Sequence, residues 1–256
     1  MSFEVVADAY WQFMGRYSEP LTGSFVAWSG VAPGQRALDV GCGPGALSAR
    51  LVALLGAGSV AAVDPSDSFV AAARERLPEV DIRTAVAERL PFGDDTFDAA
   101  LAQLVVHFMA DPVAGLREMA RVTRPGGVVA ACVWDHHGGG SPLSTFWRAV
   151  NDLDPGARDE SQLAGTREGH LAELLSAAGL RDIRSTALTV RVAFASFDEW
   201  WTPFALGVGP AGDYVRELDP SRVALLRDRC ASYLPSSGPG PVEISARAWA
   251  ALGHAA

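Results

Sequence analysis

Two carboxylates and three glycines lie close enough along the chain to shape one ligand site. In Asp39-Val-Gly-Cys-Gly-Pro-Gly45, an apolar run ends in Gly41, Gly43 and Gly45 and a helical pattern follows. Glycines there leave backbone amides and a helix N-terminus open to a ligand lying across the strand end, because no side chain blocks its approach. Cys42 lies within the loop, and Pro44 fixes the turn before the helix. Asp64, followed by Pro65 and Ser66, ends the next apolar run, where a carboxylate accepts hydrogen bonds from both hydroxyls of a ribose. A nucleoside-bearing ligand is implied, and Gly41-x-Gly43-x-x-Ala46 equally satisfies the dinucleotide-binding fingerprint.

Histidine is the side chain suited to acid–base work near neutral pH. His107, in Gln103-Leu-Val-Val-His-Phe-Met109, follows an apolar run and is the candidate general base; a packed histidine lining a pocket is the competing reading. His136 and His137 are adjacent, so they point to opposite sides of an extended chain, and no third ligand at helix or strand spacing accompanies them. A flexible, pocket-lining loop over 136–140 is expected there, and no metal.

The elements that must hold these residues alternate between short apolar runs and amphipathic ones. Strands are expected at 36–40, 59–63, 81–85, 97–102 and 128–134, with helices at 46–55, 66–76 and 112–122 and a turn at 124–127. Further on come a helix at 142–153, a polar surface stretch to 168, a helix at 171–178 stopped by Gly179, and a strand at 183–194. An aromatic helical region over 197–234, broken by Gly207-Val-Gly-Pro210, precedes a last strand at 242–250. The pattern predicts an α/β fold: a Rossmann-like, doubly wound, mostly parallel seven-stranded sheet with a helical lid insertion.

Composition limits the partners. The 256 residues carry a formal charge of −9, and the 21 positive residues are all arginine without a dense run. Nucleic acid is therefore not an expected partner. A chain without lysine has no Schiff-base lysine and no Tyr-x-x-x-Lys dyad. The three cysteines are too far apart for a CxxC site, which fits a reducing compartment. No apolar run approaches the length that spans a bilayer, and the acids near Met1 are unlike a signal peptide, so a cytoplasmic location is expected.

Four segments together resemble the class I S-adenosylmethionine-dependent methyltransferases of the type 11 group, which includes ubiquinone- and menaquinone-pathway enzymes. They are Leu38-Asp-Val-Gly-Cys-Gly-Pro-Gly45, Ala62-Val-Asp-Pro-Ser66, Ala87-Glu-Arg-Leu-Pro-Phe-Gly-Asp-Asp-Thr-Phe-Asp98 and Arg121-Val-Thr-Arg-Pro-Gly-Gly-Val128. The resemblance implies S-adenosyl-L-methionine as cofactor and an antiparallel last strand in the sheet. Asp39 would orient the loop and the methionine amino group, and Asp64 would take the ribose hydroxyls. Ala87 and Glu88 would border the adenine, and a backbone carbonyl near Gln103 would take the amino group. Val86 departs from the family, which usually has an Asp there to accept from the adenine amino group.

The resemblance also implies one methyltransferase domain over 1–256: an N-terminal helical cover at 1–33, a cofactor core at 34–135 and an insertion at 195–235 over the acceptor. Arg16 or Tyr10 would meet the methionine carboxylate, an arginine fork being suited to that group; alternatively this segment is a surface helix packing Trp11 and Phe13. Phe197-Asp-Glu-Trp-Trp-Thr-Pro-Phe204 has the composition of a lid over an apolar or aromatic small-molecule acceptor, or of a packed helix pair or a homodimer contact. A nicotinamide-dependent oxidoreductase and a non-catalytic cofactor-binding module are the alternatives to methyl transfer.

Overall fold

A computed structural model describes residues 11–234 and 241–256. Seven strands form one sheet in the order β3-β2-β1-β4-β5-β7-β6. They are β1 (Ala37–Val40), β2 (Val60–Asp64), β3 (Asp81–Thr84), β4 (Phe97–Gln103), β5 (Thr123–Trp134), β6 (Arg181–Phe194) and β7 (Val242–His254). The first five are parallel, and β7 runs antiparallel to both β5 and β6. Every residue of β1 and β2 is buried. Strands covered on both faces are near-continuous apolar runs, and this is why these two lack alternation, the buried acids Asp39 and Asp64 being the exceptions.

Helices cover both faces: α1 (Arg16–Ser29), α2 (Ala46–Leu55), α3 (Asp67–Arg76), α4 (Pro112–Val122), α5 (Ser144–Leu153) and α6 (His170–Ala177). Side chains alternate across the sheet, so Ala99 and Leu101 of β4 join one core with Leu21, Phe25 and Leu51, while Ala100 and Ala102 join the other with Leu116 and Met119. α4 starts where Asp111 accepts from the Ala114 amide at 3.0 Å and Pro112 occupies the first turn. From β1 the chain proceeds to β2 and β3 on one side, then returns to β4 and β5 on the other. A crevice therefore opens at the carboxyl ends of β1 and β4, where doubly wound sheets take their ligands.

Three expectations are corrected. Residues 124–127 are not a turn before a strand but a bulge within β5, between the pairings Phe97 with Thr123 and Ala99 with Val128. Gly127 has no alternative there, since a Cβ would lie 2.7 Å from the Asp98 carbonyl and 2.9 Å from that of Arg124. The stretch before residue 168 is not all surface, because Glu160 and Thr166 are buried. Residues 136–140 form a pinned turn: buried Asp135 accepts from the Gly138 amide at 2.8 Å and pairs with Arg247 at 2.5 Å, and the Arg247 amide donates to the Gly140 carbonyl at 2.7 Å. Cβ atoms at Gly138 and Gly140 would come within 2.6 Å of that carboxylate. These glycines make room for an ion pair and do not confer flexibility.

The insertion folds as α7 (Phe197–Trp201), a 3-10 turn (Thr202–Leu206), α8 (Gly209–Glu217) and α9 (Pro220–Tyr233). Phe204 stacks on Phe146 of α5 at 4.6 Å and meets Phe13 edge-on at 5.0 Å. Packed aromatics of this kind supply large buried area and fix orientation.

Candidate functional site

The loop after β1 is set by backbone hydrogen bonds before any side chain acts. The amides of Gly41 and Cys42 donate to the Val63 carbonyl at 2.8 and 2.9 Å, which draws the loop toward β2. Gly41 has φ +73°, and a Cβ there would lie 2.4 Å from a Val105 methyl. Both conformation and space therefore require glycine at this position. Gly45, at φ +91°, caps α2, whose first residues Ala46 and Leu47 line the crevice with their N-terminal end toward it.

Asp39 and Asp64 lie beneath this loop, 1% and 6% exposed. Asp64 fastens two elements: one carboxylate oxygen accepts the Gly43 amide at 2.8 Å, the other the Ser66 amide at 2.9 Å. Each oxygen keeps a lone pair, so two further donors such as ribose hydroxyls can be taken. Burial pushes the Asp64 carboxyl above the usual carboxylate range, against the pull of these two amides. Asp39 accepts the Ser48 hydroxyl at 2.6 Å. Burial raises its carboxyl to about 7, with Ser48 pulling it down and the neighbouring Asp64 adding to the rise.

Gln103, at the end of β4, donates from its amide nitrogen to the Ser18 carbonyl at 3.1 Å and the Thr22 hydroxyl at 3.0 Å, holding α1 over the crevice. Its carbonyl oxygen is buried and has no protein partner. An orphaned buried acceptor costs roughly 1–3 kcal/mol unless a ligand fills it. Leu104 follows in left-handed conformation, φ +63°, with its amide on the Cys132 carbonyl at 2.8 Å. A leucine held there stores strain on the order of 1 kcal/mol.

Asp39, Gly41, Cys42, Gly43, Asp64, Pro65 and Gln103 thus come together around one cavity. Gly45 supports the loop from behind, and Ser66 contributes its amide to Asp64. The cavity does not gather the rest. Ala87 is buried in the core on the other face of the sheet, and Glu88 accepts the Asp111 amide at 3.1 Å. Arg16 pairs with Glu199 of α7 at 2.5 Å and lies over the Phe194 ring, which ties the N-terminal helix to the insertion. Tyr10 lies outside the described residues. Val86 is 47% exposed.

A second, apolar cavity adjoins the first and shares Leu104 and Phe108 with it. Phe13, Met14, Trp134, Leu143 and the start of α8 wall it, and His107, His136 and Glu160 are the titratable groups in it. His107 therefore faces the neighbouring chamber, not the glycine loop. Burial holds its imidazole well below the usual histidine range, with His136 adding to the shift. Glu160 and the roles of Leu104 and Trp134 were not legible in the sequence: nothing in their residue types or spacing separates them from a surface acid and ordinary core residues.

The residues of the first cavity suit a cationic nucleoside. Among the described residues lining it none is basic, two are buried carboxyls and one is an orphaned carbonyl. The ammonium and sulfonium of S-adenosylmethionine would meet acceptors there. The pyrophosphate of a dinucleotide would face two buried acids without a compensating cation, a repulsive arrangement at low dielectric.

Comparisons with known proteins agree with this choice. Residues 38–131 match the family described as a methyltransferase domain. A demethylmenaquinone methyltransferase of Mycobacterium sp. (strain KMS) is 45% identical over 104 residues, which cover 40% of this chain and 43% of that protein. The chain thus spans less than half the length of such relatives. Among solved structures, the YcgJ protein of Bacillus subtilis superposes with a TM-score of 0.59 at 18% identity, over 92% of this chain and 97% of that one. A Haemonchus contortus phosphoethanolamine N-methyltransferase 2, solved with phosphomonomethylethanolamine and S-adenosylhomocysteine, gives 0.61 at 17% identity, over 98% and 57%. These two likenesses concern the fold.

Proposed function

We propose that this chain, a class I methyltransferase of the type 11 group by the domain at 38–131, moves a methyl group from S-adenosylmethionine to a small apolar or aromatic acceptor. The observation that carries the proposal is the adjacency of the two cavities: an acidic chamber under the glycine loop shares Leu104 and Phe108 with an apolar one.

When bound, S-adenosylmethionine supplies a methyl on a positively charged sulfur that leaves as a neutral thioether, so no acid need assist its departure. The protein's task is to position the partners. Asp39 and the Gln103 carbonyl would hold the methionine ammonium, Asp64 the ribose, and the amides of the 41–45 loop the carboxylate end. Leu104 and Phe108, on the shared wall, would hold acceptor and methyl in line. Such orientation is worth on the order of 7–11 kcal/mol of barrier. His107, in the acceptor chamber, would receive a proton from the acceptor where one must leave.

Incubation with methyl-labelled cofactor and a library of small aromatic acceptors tests the proposal. Label should appear in at least one acceptor, and transfer should fall at least tenfold in Asp64→Ala. Cofactor bound without transfer to any member would leave a binding module in place of an enzyme.

A further inference from the structure

The apolar chamber contains polar groups that its walls do not satisfy. The Nδ1 atoms of both His107 and His136 are buried without a protein partner. Their ring centroids are 5.9 Å apart with no direct hydrogen bond between them, a span that one bridging water closes. His136 Nδ1 is in turn 3.9 Å from a carboxylate oxygen of Glu160, whose other contact is the Trp147 indole N–H at 2.8 Å. His136 and Glu160 also line a third cavity, polar in character, with His137, Arg148 and Asp152 around it. The three side chains thus form a chain from His107, whose ring packs on Phe108 of the shared wall at 3.8 Å, to the polar cavity that His136 and Glu160 line.

We infer that His107, His136 and Glu160 are a proton relay, and that the acceptor is a planar, uncharged compound methylated on a hydroxyl oxygen. This rests on the methyltransferase reading and names its substrate class. The hydroxyl oxygen attacks the methyl carbon, the carbon–sulfur bond breaks with its electron pair retained on sulfur, and the hydroxyl proton passes to His107. From there it moves through His136 to the Glu160 carboxylate and out by the polar cavity. His107 is the catalytic residue; His136 and Glu160 act through it.

The chamber itself selects the hydroxyl. Its walls are the apolar faces of Phe13, Met14, Trp134 and Leu143, which suit a flat apolar ring. An ammonium would leave water for apolar walls whose one carboxylate among the described lining residues, Glu160, is pushed up to about 7 by burial and already accepts the Trp147 indole N–H. A carbon acid carries no donor at the reacting atom for the orphaned imidazole nitrogens. A carboxylate finds no arginine among the described lining residues. One neutral O–H donor on an apolar ring meets both requirements.

The charged neighbours of the relay are few. Asp159 acts on both His136 and Glu160, and Asp135 acts on His136 while held by Arg247. Burial raises the Glu160 carboxyl to about 7, Trp147 drawing it down, and lowers His136 to about 4. Glu160 can take the relayed proton only when ionised. Turnover should therefore rise with pH through about 7.

The test compares 2-naphthol, 2-naphthylamine and naphthalene with the protein saturated in S-adenosylhomocysteine, whose binding is verified first by thermal shift. Absence of that shift would defeat the cofactor reading itself, not this inference. The naphthol should bind at least tenfold more tightly than the other two, and His107→Gln should remove the preference while keeping the thermal shift. With S-adenosylmethionine, methyl should reach the naphthol oxygen, and kcat/KM should rise about tenfold per pH unit below an inflection near 7. Glu160→Gln, which retains an oxygen for Trp147, should flatten that profile. Equal binding of the three probes, methylation of nitrogen in preference to oxygen, no transfer to the naphthol, or a pH profile unchanged in Glu160→Gln would each overturn the inference.

Discussion

Asp39 and Asp64 hold similar positions under one loop but should answer differently to substitution. Asp39 is held near 7 by burial, so in the ligand-free protein it is partly protonated at neutral pH. An ammonium placed beside it favours the carboxylate, and binding must then release a proton. The sign follows: cofactor affinity increases with pH up to about 7 and levels off above it. Titration calorimetry in two buffers of different ionisation enthalpy should show this release near pH 6.5, and Asp39→Asn should abolish it while weakening binding. Asp64 combines a ligand role with the fastening of Gly43 to Ser66. Asp64→Ala should weaken S-adenosylhomocysteine binding by 10- to 100-fold, about 1.4–2.8 kcal/mol. Asp67→Ala, three residues on and exposed, where the carboxylate accepts the Thr84 hydroxyl, should change it less than twofold. Asp64 was legible in the sequence as an acid at the end of an apolar strand, and Asp39 through the resemblance of its glycine loop. Glu160 was not, since burial of a lone acid depends on Trp147 and His136, which only the fold brings near it.

At the scale of elements, the first four strands and the helices between them fell within about two residues of expectation, because doubly covered strands and amphipathic helices carry strong patterns, whereas the fifth strand starts at Thr123 and not at 128. The errors lie where long-range pairing decides. β7 continues to His254 and not only to 250 because Ala251 to His254 pair with Ala131 to Val128 of β5, and the bulge then holds Ala255, Gly126 donating to the Ala255 carbonyl at 2.9 Å and the Ala255 amide to the Gly127 carbonyl at 3.0 Å. The insertion's breaks at Gly207 and Gly209 serve close packing: a Cβ on Gly212 would lie 2.5 Å from the Gly207 carbonyl carbon. Gly212→Ala must therefore push the 207–209 segment, which walls the apolar chamber. Acceptor-side affinity for 2-naphthol is expected to fall at least fivefold, with S-adenosylhomocysteine binding kept within twofold. Parallel loss of both would instead mean that the insertion stabilises the whole crevice.

Across the molecule, buried titratable groups set how stability depends on pH. Asp39 and Glu160 both rise to about 7 in the folded chain. Between their unfolded values near 4 and that pH, the folded state binds more protons than the unfolded one, so each carboxyl lowers stability as pH rises. His107 and His136, both lowered by burial, act in the opposite sense below 6.5, since the unfolded state then takes their protons. Relative to the unmodified chain, the double variant Asp39→Asn with Glu160→Gln should gain stability steadily from pH 4.5 to 7, on the order of a few kcal/mol in urea melts. A constant difference would mean that neither carboxyl is protonated when folded. The cofactor itself is tested most directly by thermal unfolding with S-adenosylhomocysteine and with NAD, each at 1 mM. Selective binding to the native state at about one hundred times Kd contributes roughly 2.7 kcal/mol, a rise in Tm of about 5 °C or more for a chain of this size. A rise of that order with S-adenosylhomocysteine and none with NAD is expected; a rise with NAD alone, or with neither, would contradict an S-adenosylmethionine site beneath the 41–45 loop.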